Sequence, residues 1–150
     1  DAFETAMSAR GAHRTSDAAW EAWEIVHGVP RIPEDLIPEK TIPLEAGLWH
    51  GIDLNKGCYL GQEVIERLYA RGKPNKRLLR VRVSGADAVE AGTITVDGKD
   101  AGWITRLVAL PGEDTLAALG YVKRKYLDAG TWAVGGRAAR SEGYAGREWA

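Results

Sequence analysis

Arg77-Leu78-Leu79-Arg80-Val81-Arg82-Val83-Ser84 marks the point where the chain changes its periodicity. Leu79, Val81 and Val83 alternate with Arg80, Arg82 and Ser84, giving one apolar and one polar face at the two-residue repeat of a β-strand. Downstream, Thr93 to Val96, the pair Asp97-Gly98 and a run toward Trp103-Ile104 spell a hairpin with a tight turn. Leu119 to Val122 and Trp132 to Val134, the latter followed by Gly135-Gly136, supply further short strands. Short strands at these intervals predict a small antiparallel barrel.

Upstream of Arg77 the pattern is helical. Phe3, Met7 and Arg10 follow helical spacing, and Thr15, Ser16 and Asp17 offer caps for a second helix with Ala19, Trp20, Trp23 and Val26 along one stripe. Gly28 and Pro30 end it. Pro30, Pro33, Pro38 and Pro43, four of the six prolines, then remove backbone donors, so a long extended loop is expected. Gln62 to Arg71 should form a short helix with Val64, Ile65 and Leu68 inward, stopped by Gly72 and Pro74. The fold class is therefore α+β, with a boundary near Asn75 dividing residues 1–75 from a barrel domain at 76–150. Asp1 opens a helix already under way, which predicts that an amino-terminal part is missing.

Composition narrows the chemistry. The 150 residues carry a net charge of -1, so no overall pull toward nucleic acid or membrane is expected. One cysteine excludes an internal disulfide and a four-thiolate cluster site, which fits a reducing compartment. His13, His27 and His50 lack the spacing that puts two ligands on one helical face, so no metal is assigned. No apolar run is long enough to cross a bilayer and no export signal opens the chain.

The one cysteine lies in Lys56-Gly57-Cys58-Tyr59-Leu60-Gly61-Gln62-Glu63. It stands between two turn-forming glycines, near a lysine and just ahead of a helix amino terminus, and both positive fields favour a thiolate. The plain alternative is a small buried apolar residue. This segment resembles the K-G-C-Y-x-G-Q-E signature of the YgfZ family, folate-binding proteins related to the glycine-cleavage T-protein and linked to iron–sulfur enzyme maintenance. Every fixed position is present. The resemblance extends from about Trp23 to about Arg124, through Gly28-Val29-Pro30, the Pro-Leu-Glu-Ala-Gly-Leu run from Pro43, Gly102-Trp103-Ile104-Thr105-Arg106 and Leu119-Gly120-Tyr121-Val122.

The resemblance implies the end of a GcvT-like folate-binding domain followed by a small β-barrel. It implies tetrahydrofolate as ligand, iron–sulfur client proteins (including tRNA-modifying enzymes) as partners, and a bacterial cytoplasmic or mitochondrial matrix location. Cys58 would be the reactive group, Lys56 would favour its thiolate, and Gly57 and Gly61 would shape the loop. Gln62 and Glu63 would orient it or contact ligand, as would Arg67, while Tyr59 packs or hydrogen-bonds. Glu45 sits in the matching Leu-Glu-Ala-Gly run, and Trp49 is the tryptophan placed to line a pocket; Trp20, Trp23, Trp103, Trp132 and Trp149 read as core, interface or tail. With Glu24 to Gly28 set against the T-protein pattern R-L-E-A-G, the pterin-binding glutamate falls on Val26, and T-protein has an acidic residue where this chain has Cys58. Both departures favour the thiol-bearing branch over aminomethyl transfer.

Arg67, Arg71, Lys73, Lys76, Arg77, Arg80 and Arg82 form a basic strip with no acidic residue among them. It could receive a polyanion, either a folate glutamate tail or RNA phosphates, or be a solvated strand face. Tyr69 is its only aromatic, thin support for base stacking. Lys123-Arg124-Lys125 reads as solvated surface. Three alternatives stay open: a tetrahydrofolate-dependent aminomethyl or methyl transferase, an RNA-binding module, and a hydrolase pairing Cys58 with His50.

Overall fold

The computed structural model describes residues 2–87, 89 and 92–146, with Arg71 by its backbone alone; Trp149 and the Arg71 side chain lie outside the described residues. Three helices come first, α1 (Ala2–Ser8), α2 (Asp17–His27) and α3 (Gln62–Arg71). Six strands follow: β1 (Lys76–Ser84), β2 (Thr93–Val96), β3 (Lys99–Ala109), β4 (Thr115–Lys123), β5 (Trp132–Val134) and β6 (Arg137–Tyr144). They close into an antiparallel barrel in the order β1-β4-β3-β2-β5-β6. The expected mixed α and β class and the barrel are both present.

Alternation along β1 explains how the barrel fills. Leu79, Val81 and Val83 point inward with Ile94, Val122 and Trp132, while Leu78 points outward. Leu119 and Tyr121 of β4 share that outer side, and Ile25 of α2, Ala46 and Ala145 cover it. Strand β4 is thus buried on both faces, which is why it reads as a nearly continuous apolar run. Asp97 (φ 49°) and Gly98 (φ 73°) are both left-handed, the geometry a two-residue hairpin turn needs.

Helix α2 begins where expected, with Ser16 Oγ accepting the Ala19 N–H at 3.1 Å. Its inner face differs from the expected stripe. Glu24 and Ile25 are buried, whereas Trp20 and Trp23 are 49% and 45% exposed and stack on each other at 5.0 Å, with His27 stacked on Trp23 at 4.5 Å. The cause lies in β3, whose Arg106 holds Glu24 inside. On α3, Ile65 is buried but Val64 is 47% exposed, because the helix lays a narrower face on the rest of the molecule than the apolar count suggests.

The proline-rich segment is not extended throughout. It contains turns and runs into a short 3₁₀ segment, Pro43–Ala46, with a second, Trp49–Gly51, beyond it. Gly47 (φ 76°) follows the first, and a Cβ there would stand 2.1 Å from the Ala145 carbonyl oxygen. That close approach brings the loop onto the end of β6.

Candidate functional site

The signature loop leads directly into α3. Gly61 is the residue before the helix at φ 86°, a left-handed turn that a side chain would strain, while Gly57 is neither left-handed nor crowded. The side-chain oxygen of Gln62 accepts the Tyr59 N–H at 3.3 Å, and its amide donates to Glu66 at 2.6 Å, tying the loop to the helix. Glu63 pairs with Arg67 one turn on. Cys58 is exposed, with no side-chain hydrogen bond or ion pair among the described residues. Lys56 is placed over the Tyr59 ring at 5.1 Å, so its ammonium is engaged with the ring of the residue after Cys58. Leu60, two residues after Cys58 and fully exposed, gives the loop an apolar tip. His50, the hydrolase partner considered for Cys58, is exposed in the Trp49–Gly51 turn, and no contact between the two is seen among the described residues.

Glu45 occupies a second neighbourhood. It is buried, its Oε2 lies 3.3 Å from Lys76 Nζ, and that oxygen accepts no hydrogen bond among the described residues. Burial pushes its carboxyl above the ordinary range, against the opposing pull of Lys76. Lys76 also lies 5.1 Å from the Trp103 ring and 5.2 Å from that of Tyr121, whose hydroxyl is pushed well up by burial. Trp49 is half-buried in the 3₁₀ turn that follows. The letters Leu44-Glu45-Ala46-Gly47 themselves reproduce L-E-A-G, whereas Glu24 to Gly28 share only the glycine with R-L-E-A-G.

A buried ion network joins the helical part to the barrel, and the sequence gives little sign of it. Arg106, 5% exposed, donates to Glu24 at 2.9 Å, to Asp35 at 2.8 Å and to the Val29 carbonyl at 2.8 Å. Arg31 meets the same Glu24 oxygen at 2.5 Å, and the Thr105 hydroxyl donates to Asp35. Burial alone would raise the Glu24 carboxyl, but the hydrogen bonds from Arg106 and Arg31 hold it below its ordinary value. The Thr-Arg end of Gly102–Arg106 was the available signal.

The basic strip does not persist as one surface. Arg80 donates to the carbonyls of Val26 and Glu142, Arg82 pairs with Glu142 and Glu113, and Lys76 pairs with Glu45. Arg77 is buried with its guanidinium 4.4 Å from the Tyr144 ring. Among the described residues no group of acidic, histidine and cysteine side chains could hold a metal, and no helix is long and apolar enough to cross a membrane.

No protein-family model matches the chain. A chloroplastic protein of Arabidopsis thaliana that bears a provisional transferase name is 39% identical over 124 residues, 83% of this chain and 28% of that protein. The mitochondrial iron–sulfur cluster assembly factor IBA57 of Mus musculus is 39% identical over 83 residues, 50% of this chain and 23% of the factor. Its homologue from Cryptococcus neoformans is 36% identical over 78 residues, 51% of this chain and 21% of that protein. The chain thus spans about a quarter of the length of these relatives. Among solved structures, the glycine cleavage system aminomethyltransferase T of Bartonella henselae matches with a TM-score of 0.69 at 20% identity, covering 82% of this chain and 36% of that one.

Proposed function

We propose, for a chain that belongs to the GcvT-like folate-binding family, that it assists the assembly or repair of iron–sulfur clusters in client enzymes, tRNA-modifying ones included, through Cys58. The observation that carries this reading is the exposed, unpartnered thiol on a loop tied to the start of α3. A thiolate there gives an electron pair to an iron of the cluster in transit, displacing another ligand with no change of oxidation state. A single sulfur cannot keep the cluster, so the bond is transient and the cargo moves on. Leu60 at the loop tip offers the client an apolar contact.

Tetrahydrofolate fits the residues present in one respect. The buried Glu45 oxygen, which faces Lys76 but accepts no hydrogen bond among the described residues, is an acceptor of the kind a pterin N–H edge requires, and Trp49 follows four residues on with a ring able to stack. When bound, the folate supplies a one-carbon carrier. Glu45 and Trp49 would hold its ring while Lys76 balances the carboxylate charge.

A second reading, a tetrahydrofolate-dependent transferase, is favoured by the transferase name of the Arabidopsis relative and by the Leu-Glu-Ala-Gly match. One experiment separates the two. Cells lacking the full-length protein are complemented with wild type, Cys58→Ser or Glu45→Gln, and the activity of an iron–sulfur enzyme is measured. Cluster assistance requires Cys58→Ser to fail. Complementation by Cys58→Ser, together with one-carbon transfer lost in Glu45→Gln, would establish the transferase instead.

A further inference from the structure

We propose that the cleft between the end of α3 and the β4–β5 connection binds a small oligoanion, a short chain of phosphates or of carboxylates. Two cavities, of about 550 Å³ and about 380 Å³, share Lys73 and Arg124 in their walls. Arg77 lines the larger and Arg67 the smaller. Both volumes suit a small ligand.

Two cations without a side-chain partner share the walls of this cleft, whereas several other basic side chains of the barrel are paired. Lys123 pairs with Asp100, Arg137 with Asp87 and Arg82 with two glutamates. In the cleft Arg67 has Glu63, but Lys73 and Arg124 have no side-chain partner among the described residues. Asp128 is the one carboxylate among the lining residues, against Arg67, Lys73, Arg77 and Arg124. The two unpaired cations come from distant points in the sequence, yet the Arg124 N–H donates to the Asn75 carbonyl at 2.8 Å, which fixes one chain segment against the other. Cations carried on backbone segments already held together suit a ligand with several negative charges.

A single-stranded RNA would need open aromatic faces as well. The one aromatic ring in these walls, Tyr144, is already covered by the Arg77 guanidinium, so the cleft offers charge without stacking. The site uses no atom of Cys58 and stands apart from the cluster-assistance reading.

The test is calorimetric titration of the full chain at low salt with tripolyphosphate and, separately, with an oligoglutamate. One-to-one saturable binding of either is expected, with the tighter of the two identifying the source. The double substitution Lys73→Ala/Arg124→Ala should weaken it at least tenfold, while Lys99→Ala on the β2–β3 hairpin and Cys58→Ser should leave it unchanged. Lys73 and Arg124 are exposed, so the double variant should keep its circular dichroism spectrum. The proposal is overturned if neither anion binds, if the double variant binds as wild type does, or if an oligoribonucleotide binds tighter than both through the same two residues.

Discussion

Replacing Arg106 with methionine tests whether the buried ion network holds the helical part on the barrel. The arginine is 5% exposed, donates to Glu24, Asp35 and Val29, and leaves two carboxylates with side-chain exposures of 10% and 0% once it is gone. Removing one side of such a buried set costs about 3–5 kcal/mol, because Asp35 stays desolvated without a charged partner while Glu24 keeps only Arg31. With a urea slope of about 2 kcal/mol per molar, the unfolding midpoint should fall by about 2 M. Most of that penalty resides in the stranded charge of Asp35, so adding Asp35→Asn to the methionine variant should restore about 1–2 kcal/mol. Acidification gives a third reading. Glu24 has a folded value below its ordinary 4.5, so its stabilisation is present above that pH and is lost as pH falls through the depressed value. The wild type should therefore lose more stability on acidification than the methionine variant. A cost below about 1 kcal/mol for Arg106→Met, or an Asp35→Asn penalty that simply adds to it, would refute the reasoning.

The glycines separate by neighbourhood. Gly47→Ala should destabilise by more than about 2 kcal/mol in thermal unfolding, since left-handed strain adds to a backbone collision with Ala145, whereas Gly61→Ala, strained but in open space, should cost about 1–2 kcal/mol and Gly57→Ala under about 0.5 kcal/mol. For Glu45, whose carboxyl is raised by burial despite Lys76, the folded state favours the protonated form; stability from it is full below 4.5 and lost as pH rises through the raised value. The melting temperature of wild type relative to Glu45→Gln should accordingly improve as pH is lowered from about 7 to about 4, and a difference independent of pH would contradict the burial argument.

Local patterns were legible where local physics governs them. Asp97-Gly98 announced the β2–β3 turn, and Ser16 announced the start of α2, because each acts on backbone within a few residues. Strand β6 escaped notice: Arg137 to Tyr144 has no run of large apolar residues, and only Ala139 among them is buried. Its place comes from closing the barrel between β5 and β1. The α2 face was misread for a similar reason, since Glu24 is buried by an arginine 82 residues later in the chain. At the candidate site, the exposure of Cys58 agrees with its motif, while the meeting of Lys73 with Arg124 depends on tertiary contact that no local spacing encodes.

Closure of the barrel has a consequence for recognition. Each of its six strands has a hydrogen-bonded neighbour on both sides along part of its length, so among the described residues no strand is a wholly open edge for an incoming peptide. Strand addition is thereby disfavoured as a way of binding to the barrel. Docking falls instead to protruding side chains and connecting segments, and the tip carrying Leu60 and the sulfur is one such protrusion.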